Sequence, residues 1–290
     1  MAAMETRTEQ SSEPVVDNRR FTGLFPSRML RWRRPIWWQE LGIIALGYWL
    51  YSLGRNAIPS QQKIATEHGH SIEKLQDALH LNFEQSINGW VFHHEWLAQI
   101  MDYYYATLHF IVTIGVLGWL FIKRPHIYRG ARTVLFTTTL IALAGFAIYP
   151  LSPPRLLNPS RYYDTLVRFH TWGSLADPDI AKHSNQYAAM PSLHIGWALW
   201  CGLTLFMCAR SKWVRGLGLA YPVFTLIVIV GTANHYIVDA VGGAIVIAAA
   251  FGLQWVFSGH GAYTPPVDAY DFGFPDPPLP QRPSRRTLVR

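Results

Sequence analysis

The sequence predicts an all-α polytopic membrane protein, a bundle of six transmembrane helices with both termini in the cytoplasm. Half of the 290 residues are hydrophobic and only 15% are charged, whereas soluble domains carry about 25% charged residues. Six apolar segments each approach the roughly 20 residues that cross a bilayer. The net charge of +7 comes from basic residues that cluster beside these segments, so membrane topology explains it better than nucleic-acid binding.

The chain divides into three parts. Residues 1–36 form a basic N-terminal tail, residues 37–257 form the membrane domain, and residues 258–290 form a Pro-rich cytoplasmic tail that we predict to be disordered. Within the membrane domain, the six spans are predicted at 37–54, 98–122, 131–151, 190–209, 213–232 and 235–257.

Two amphipathic segments and one long loop connect the spans. Residues 64–81 and 81–97 have apolar side chains at loosely helical spacing, so we place them on the membrane surface or over the mouth of the bundle. The loop 152–189 is rich in proline, arginine, aspartate and aromatic residues. A loop of this length inside a compact domain is usually functional or disordered.

The distribution of positive charge predicts the orientation. Lysine and arginine cluster in the two tails and in the links 123–132 and 210–215, which an even number of spans places together on the cytoplasmic side. Arg155, His194 and His235 then lie at the same depth on the extracytoplasmic face. Topology argued from charge alone therefore brings three distant residues together.

A histidine and an aspartate four residues apart open the sixth span. His235 and Asp239 share a helix face, and a carboxylate bonded to one ring nitrogen leaves the lone pair of the other nitrogen free. Such a histidine is prepared for nucleophilic attack. The alternative is a helix-end histidine with a capping aspartate, but ionisable residues within a span are costly and usually functional.

The start of the fourth span and the end of the third supply residues suited to phosphate. A helix N-terminus binds anions, so a phosphate docked near Ser192 would lie beside His194, which could protonate a leaving oxygen. Arg155 follows prolines that stiffen the exit from the third span, and its guanidinium suits bidentate phosphate binding. The alternatives are an interfacial histidine and an arginine that snorkels to headgroups.

Other polar residues near the predicted mouth are weaker candidates. Tyr105 and His109 share a face of the second span and, with Asn234, are possible pocket residues; His109 is equally consistent with a packed core histidine. Asp102 and Asp164 could recognise a polar acceptor, although a capping or solvated role is favoured for each. The sequence contains no CxxC, HExxH or aspartate-rich box, so we predict no metal and no other cofactor.

Taken in order, these motifs resemble those of the type 2 phosphatidic acid phosphatase superfamily. The motifs are PPR ending at Arg155, AMPSLH ending at His194 and NHYIVD ending at Asp239. They are most similar to the branch that contains inositol phosphorylceramide synthases. The resemblance covers roughly residues 98–257.

The resemblance implies a six-helix membrane bundle and a metal-independent reaction on a phospholipid or lipid phosphate. By analogy, His235 attacks phosphorus and forms a phosphohistidine, Asp239 orients it, and His194 protonates the leaving group. Arg155 and the amides near Ser192 hold the phosphoryl oxygens, where charge develops. Water, or an alcohol on a lipid or polyol acceptor, then resolves the intermediate.

Three positions depart from the family pattern. Val228 and Ile229 stand where the third motif often carries Ser-Arg, and Ile148 stands where the first motif often carries lysine. A site with fewer positive charges favours a singly charged phosphodiester over a doubly charged monoester. The departures therefore favour transfer between a lipid and an alcohol.

Three functions remain open on the sequence. The first is a lipid phosphotransferase similar to inositol phosphorylceramide synthase, the second is a simple phosphatidic acid or lipid phosphate phosphatase, and the third is a non-enzymatic lipid-binding or transport bundle. Transport predicts polar residues through the bundle midplane. The predicted spans are instead apolar at their centres, with polar groups gathered at one end, which is typical of a surface-facing site.

Overall fold

The computed structural model describes residues 23–24, 34–57, 61–81, 83–171 and 186–265, and these residues form an all-helical fold. Most of the two predicted tails and the middle of the predicted loop lie outside the described residues. The helices, in chain order, are α1 (Trp37–Ala57), α2 (Gln62–Ala78), α3 (Phe83–Phe92), α4 (Glu95–Tyr103), a π-helical turn (Tyr104–Leu108), α5 (His109–Lys123), α6 (Pro125–Ile148), α7 (Pro154–Leu157), α8 (Thr165–Arg168), α9 (Leu193–Cys208), α10 (Lys212–Gly231) and α11 (Ile237–Ser258).

Four helices of the described part are long and apolar enough to cross a membrane, which makes this an integral membrane protein. They are Glu95–Lys123, in which α4, the π-helical turn and α5 run on continuously, Pro125–Ile148, Lys212–Gly231 and Ile237–Ser258. They confirm the predicted second, third, fifth and sixth spans. At the predicted first and fourth spans lie α1, with 21 residues, and α9, an apolar helix of 16 residues. The total of six spans and the side on which the termini lie stay predictions.

The core of the bundle surrounds α9, which packs against α5, α6, α10 and α11. Its largest buried side chain is Trp200, which is fully buried and donates a hydrogen bond from Nε1 to the carbonyl oxygen of Ala131 at 2.8 Å. Leu120, Tyr128 and Ile247 are buried in the same cluster. This packing fixes the helices that carry the polar residues at the other end of α9.

α1 lies at the edge of the bundle, against α6. Its acidic residue, Glu40, is buried and forms an ion pair with Arg132 of α6. A charge within an apolar helix needs such a partner. The large apolar side chains of α1 stay exposed, among them Trp38, Leu46 and Trp49, as expected for a helix whose outer face meets lipid.

The two predicted amphipathic segments form α2 and α3, which pack over one end of the bundle. The main-chain carbonyl of Ala65 in α2 accepts a hydrogen bond from the amide of Ser152 at 3.1 Å. In α3, Asn88 donates to the carbonyl oxygen of Gly231, the last residue of α10, at 2.9 Å. Of the two predicted placements, the structure therefore shows packing over the bundle mouth.

The starts of α9 and α11 approach closely at this same end. The amide of Ser192 donates to the carbonyl oxygen of Asp239 at 3.1 Å. A Cβ atom on Gly243 would lie 2.4 Å from the carbonyl oxygen of Ser192, and one on Gly145 of α6 would lie 2.5 Å from Cδ of Pro191. Only glycine at these two positions leaves room for the segment that leads into α9.

Candidate active site

His235 lies in the turn 232–236 between α10 and α11. Its Nδ1 atom is 2.9 Å from the carbonyl oxygen of Ala189 and 3.4 Å from Oδ2 of Asp239. Because both neighbours are hydrogen-bond acceptors, Nδ1 carries the proton and Nε2 keeps its lone pair. Nε2 is buried and has no hydrogen-bond partner among the residues that the structure describes.

Asp239 connects the histidine to the starts of two helices. Its side chain is fully buried, and Oδ2 also accepts a hydrogen bond from the amide of Tyr236 at 3.0 Å. Its main-chain carbonyl accepts from Ser192 at the start of α9. His235 and Asp239 approach each other as predicted, but His235 lies in the turn before α11 and not on a shared helix face. The same carboxylate also satisfies an amide at the start of α11.

His194, in the first turn of α9, lies beside His235. The centroids of the two imidazole rings are 5.4 Å apart. Nε2 of His194 is 3.3 Å from the carbonyl oxygen of Tyr105, and the two side-chain rings stack with centroids 4.1 Å apart. Since a carbonyl only accepts, Nε2 carries a proton, and Nδ1 is the nitrogen left for other contacts.

The π-helical turn Tyr104–Leu108 brings Tyr105 and His109 to the histidine pair. The carbonyl oxygen of Tyr105 accepts from Nδ1 of His109 at 3.0 Å as well as from His194. The rings of His109 and His194 lie 4.4 Å apart. π-helical turns within α-helices are frequent at functional sites, and this one places two of the weaker sequence candidates against His194.

Arg155, in the short helix α7, is buried and attached to the same turn as His235. Its Nε donates to Oδ1 of Asn234 at 2.9 Å, and its amide donates to the carbonyl oxygen of Ala233 at 3.1 Å. Its Nη1 forms an ion pair with Oδ2 of Asp164 at 2.8 Å. The predicted arginine is thus brought to the end of the bundle that holds both histidines.

The two aspartates that seemed secondary in the sequence hold the loop that carries Arg155. Asp164 caps α8, because its Oδ1 accepts from the amide of Val167 at 3.1 Å. Asp102 of α4 accepts from the hydroxyls of Thr165 at 2.8 Å and Thr171 at 3.3 Å. The favoured capping role is therefore confirmed for Asp164. The expectation of a capping or solvated role is wrong for Asp102, which is fully buried and ties α4 to α8.

Ser192 is the N-cap of α9. Its Oγ accepts from the amide of Ile195 at 3.4 Å, and its own amide is bonded to Asp239. The amides of Leu193 and His194, in the first turn, have no acceptor within the helix. The start of α9 therefore presents main-chain donors beside the His194 ring.

Two of the three apolar residues noted at departures from the family motifs are buried, and the third is exposed. Val228 and Ile229 are buried in clusters of apolar side chains near the end of α10. Ile148, at the end of α6, is 79% exposed. In the described part of the chain, the cation bonded to the 232–236 turn is Arg155.

Sequence reasoning missed two buried polar residues of α3. Glu84 accepts hydrogen bonds from the amide of Ile237 at 2.6 Å and from Nε2 of Gln76 at 2.8 Å. Asn88 is fully buried and is bonded to Gly231. Their spacing could have identified them, because two polar residues four apart lie on one helix face. From the sequence, this segment is described only as amphipathic.

Comparison with known families identifies the superfamily of this chain. A family model described as the PAP2 superfamily matches residues 70–253, more than half of the chain, and the match includes Arg155, His194, His235 and Asp239. Searches of curated proteins and of solved structures each gave no match. The chain therefore belongs to the PAP2 superfamily, and this membership indicates a membrane protein of the lipid phosphatase or phosphotransferase type.

Proposed function

We propose that this protein is a lipid phosphotransferase, similar to inositol phosphorylceramide synthase, that works through a phosphohistidine intermediate on His235. The observation that carries the proposal is the bonding of that ring. Nδ1 faces two acceptors, and Nε2 is buried with no partner in the described part of the chain. A neutral imidazole held in this way directs its lone pair at an electrophile.

In the first step, Nε2 of His235 attacks the phosphorus of a phospholipid. A phosphorus–nitrogen bond forms, and the bond from phosphorus to the oxygen of the lipid alcohol breaks. Asp239 stabilises the positive charge that develops on His235. The negative charge of the bound phosphodiester favours a second proton on His194. Since Nε2 faces the Tyr105 carbonyl, this proton is at Nδ1 and passes to the leaving oxygen.

The phosphoryl oxygens gain charge during this attack and need donors. Arg155 offers a buried guanidinium whose position is fixed by Asn234 and Asp164. The first-turn amides of α9 add main-chain donors at the positive end of a helix dipole. Fixed donors aimed at developing charge make a large contribution to catalysis.

In the second step, an acceptor hydroxyl attacks the phosphohistidine. His194, now neutral, takes the hydroxyl proton while the phosphorus–nitrogen bond breaks and His235 returns to its resting form. Ceramide, diacylglycerol or a polyol as acceptor gives a new phospholipid, whereas water gives hydrolysis. The same side chains therefore serve transfer and hydrolysis, and the acceptor decides between them.

The charge of the site favours a phosphodiester as substrate. Arg155 is paired with Asp164 at 2.8 Å, which offsets its positive charge, and Val228 and Ile229 add none. A phosphodiester carries one negative charge at phosphorus, whereas a monoester carries nearly two at neutral pH. The alternative function, a simple phosphatidic acid phosphatase, is supported at the level of the superfamily match.

The distribution of charge supports an extracytoplasmic site. Lys123 ends α5, and Lys212 begins α10. Both helix ends are opposite to the end at which α10 meets α11 and His235 lies. Under the positive-inside rule, the lysine-bearing end faces the cytoplasm and His235 faces the other side.

The proposal is tested by an activity assay on the purified protein in detergent. Phosphatidylinositol and phosphatidic acid are supplied with and without ceramide, diacylglycerol or inositol, and products and free phosphate are quantified by mass spectrometry. We expect an acceptor-dependent phospholipid from phosphatidylinositol that is lost in His235→Ala and retained in the control His93→Ala, whose side chain is exposed.

Three other outcomes would contradict this proposal. Phosphate release from phosphatidic acid without any acceptor, lost in His235→Ala, would identify a phosphatase. Full turnover in both His235→Ala and His194→Ala would refute the mechanism. A protein that binds these lipids without converting any of them would be a lipid-binding or transport bundle.

A further inference from the structure

The short helix α3 carries two buried polar side chains that face the turn holding His235. Glu84 is 1% exposed and Asn88 is 0% exposed. Residues four apart lie on the same helix face. Buried polar groups are costly unless they are hydrogen-bonded. The hydrogen-bond partners of these two side chains therefore identify the segments that this helix face holds in place.

Asn88 holds the end of α10. Its Nδ2 donates to the carbonyl oxygen of Gly231, the last residue of that helix, at 2.9 Å. The last four carbonyls of a helix have no partner within it. Asn88 therefore fixes the backbone at the point where the 232–236 turn begins.

Glu84 holds the start of α11. Its Oε1 accepts from the amide of Ile237, the first residue of that helix, at 2.6 Å. Its Oε2 accepts from Nε2 of Gln76 in α2 at 2.8 Å, which fixes the carboxylate in turn. Glu84 therefore fixes the backbone where the turn ends, two residues after His235.

Asn88 also bonds to the loop that carries Arg155. Its Oδ1 accepts from the amide of Tyr163 at 2.8 Å, and its Nδ2 is 3.1 Å from the carbonyl oxygen of the same residue. Tyr163 precedes Asp164, which forms the ion pair with Arg155. One face of α3 thus contacts both the turn that carries His235 and the loop whose Asp164 pairs with Arg155.

We propose that Glu84 and Asn88 are positioning residues, which hold both ends of the His235 turn and set its placement relative to Arg155. The proposal rests on the proposed function of His235 as nucleophile. Neither residue touches the reacting atoms; each acts through the backbone to which it bonds. A displacement of about 1 Å at a reacting group can reduce the rate by up to about a hundredfold.

The test compares four variants of the full-length protein. Glu84→Ala and Asn88→Ala remove the two contacts, and we expect each to lower kcat by roughly tenfold to a hundredfold with KM changed by less than about twofold. Glu84→Gln keeps an acceptor for Ile237 and can donate to Oε1 of Gln76, which has no partner in the described part of the chain, so it retains kcat near wild type. Gln85→Ala, at an exposed site on the same helix, is the matched control.

Hydrogen exchange of the 231–237 segment provides a readout that needs no activity. We expect faster exchange of the Ile237 amide in Glu84→Ala and unchanged exchange in Gln85→Ala. Wild-type kcat in both alanine variants overturns the proposal, and so does an equal loss in Glu84→Gln. If the wild-type protein is inactive on every lipid, the proposed function fails, and unchanged exchange in Glu84→Ala then overturns the positioning role separately.

Discussion

The ion pair between Arg155 and Asp164 sets the net charge of the candidate site. The guanidinium is buried, and Nη1 lies 2.8 Å from the carboxylate. At such a short distance, a partly buried carboxylate offsets much of the positive field that a phosphate would meet. We therefore expect the choice between a singly and a doubly charged phosphate substrate to depend on Asp164 as well as on Arg155.

Asp164→Asn tests this dependence. Asparagine is as good an N-cap as aspartate, so α8 stays capped while the negative charge is removed. We expect the ratio of kcat/KM for phosphatidic acid to that for phosphatidylinositol to rise about tenfold, since an uncompensated Arg155 stabilises the more highly charged substrate more. Steady-state kinetics with both lipids measure the ratio, with Asp77→Asn, at an exposed carboxylate paired with Arg161, as control. An unchanged ratio would show that Asp164 has no part in selecting the substrate.

That the main candidate residues lie at one end of the bundle could be predicted from sequence, because each belongs to a short motif with its own chemistry. His235 and Asp239 are four apart, and His194 begins an apolar helix. The contact between the carbonyl oxygen of Ala189 and Nδ1 of His235, at 2.9 Å, could not be predicted. Every residue has a main-chain carbonyl, and only the fold determines which one lies beside the ring. The role of Asp102 was misjudged because its partners, on another segment, are brought to it by tertiary packing.

The packing of α9 against α11 sets the separation of His194 and His235. Gly243 lies one turn after Asp239 and meets the backbone of Ser192, two residues before His194. A Cβ atom there would be 2.4 Å from a main-chain oxygen, which cannot move without moving the start of α9. The close approach of the helices therefore depends on glycine at this position.

Gly243→Ala is expected to push the two helices apart. Overpacking of this kind costs about 1–3 kcal/mol, so we expect a lower Tm in detergent, together with a loss of kcat on the order of tenfold. Gly252→Ala, on the same helix with nothing within 4 Å of the added Cβ, is the matched control and should leave both quantities unchanged. Equal behaviour of the two variants would contradict the close packing of α9 on α11.

The contact between α3 and α11 makes stability depend on pH. Burial raises the pKa of Glu84 from its ordinary value of 4.5 to about 7, against the opposing effect of hydrogen bonds from Ile237 and Gln76. The folded state therefore binds this proton more tightly than the unfolded state. The stability that this proton contributes is full below pH 4.5 and is lost as the pH rises through about 7.

Thermal unfolding at several pH values between 5 and 8 checks this sign. We expect the Tm of the wild-type protein to fall relative to that of Glu84→Gln as the pH rises, because the amide cannot ionise. The control is Glu67→Gln, at an exposed carboxylate on α2, which should follow the wild-type curve. Parallel curves for the wild-type protein and Glu84→Gln would show that Glu84 does not bind a proton in this range.

For the molecule as a whole, the helices could be predicted, whereas the docking of the short segments over the bundle mouth was one of two predicted placements. Apolar length identifies the four helices able to span a membrane, since the bilayer sets that length. The short helix α3 gave no comparable signal, because its buried face combines the polar Glu84 and Asn88 with the apolar Val91. Its position over the bundle follows from bonds to Gly231 and Ile237, which are distant in sequence.

Cysteine labelling tests the orientation of the whole bundle. Ser160→Cys lies at an exposed position in the loop after α7, and Ser211→Cys lies at an exposed position between α9 and α10. The native residues Cys201 and Cys208 are buried. We expect a membrane-impermeant maleimide to label Ser160→Cys in intact cells and Ser211→Cys only after permeabilisation. The reverse pattern would place the histidine pair on the cytoplasmic side.

The most direct test of the central claim is detection of the covalent intermediate on His235. The purified protein is mixed with phosphatidylinositol without acceptor, quenched at alkaline pH, where phosphohistidine survives, and digested for tandem mass spectrometry. We predict an adduct on His235 that retains the inositol headgroup, is absent from His235→Ala, and disappears when an acceptor alcohol is added. Turnover of lipid by the wild-type protein with no adduct on this peptide, or turnover that persists in His235→Ala, would contradict the account.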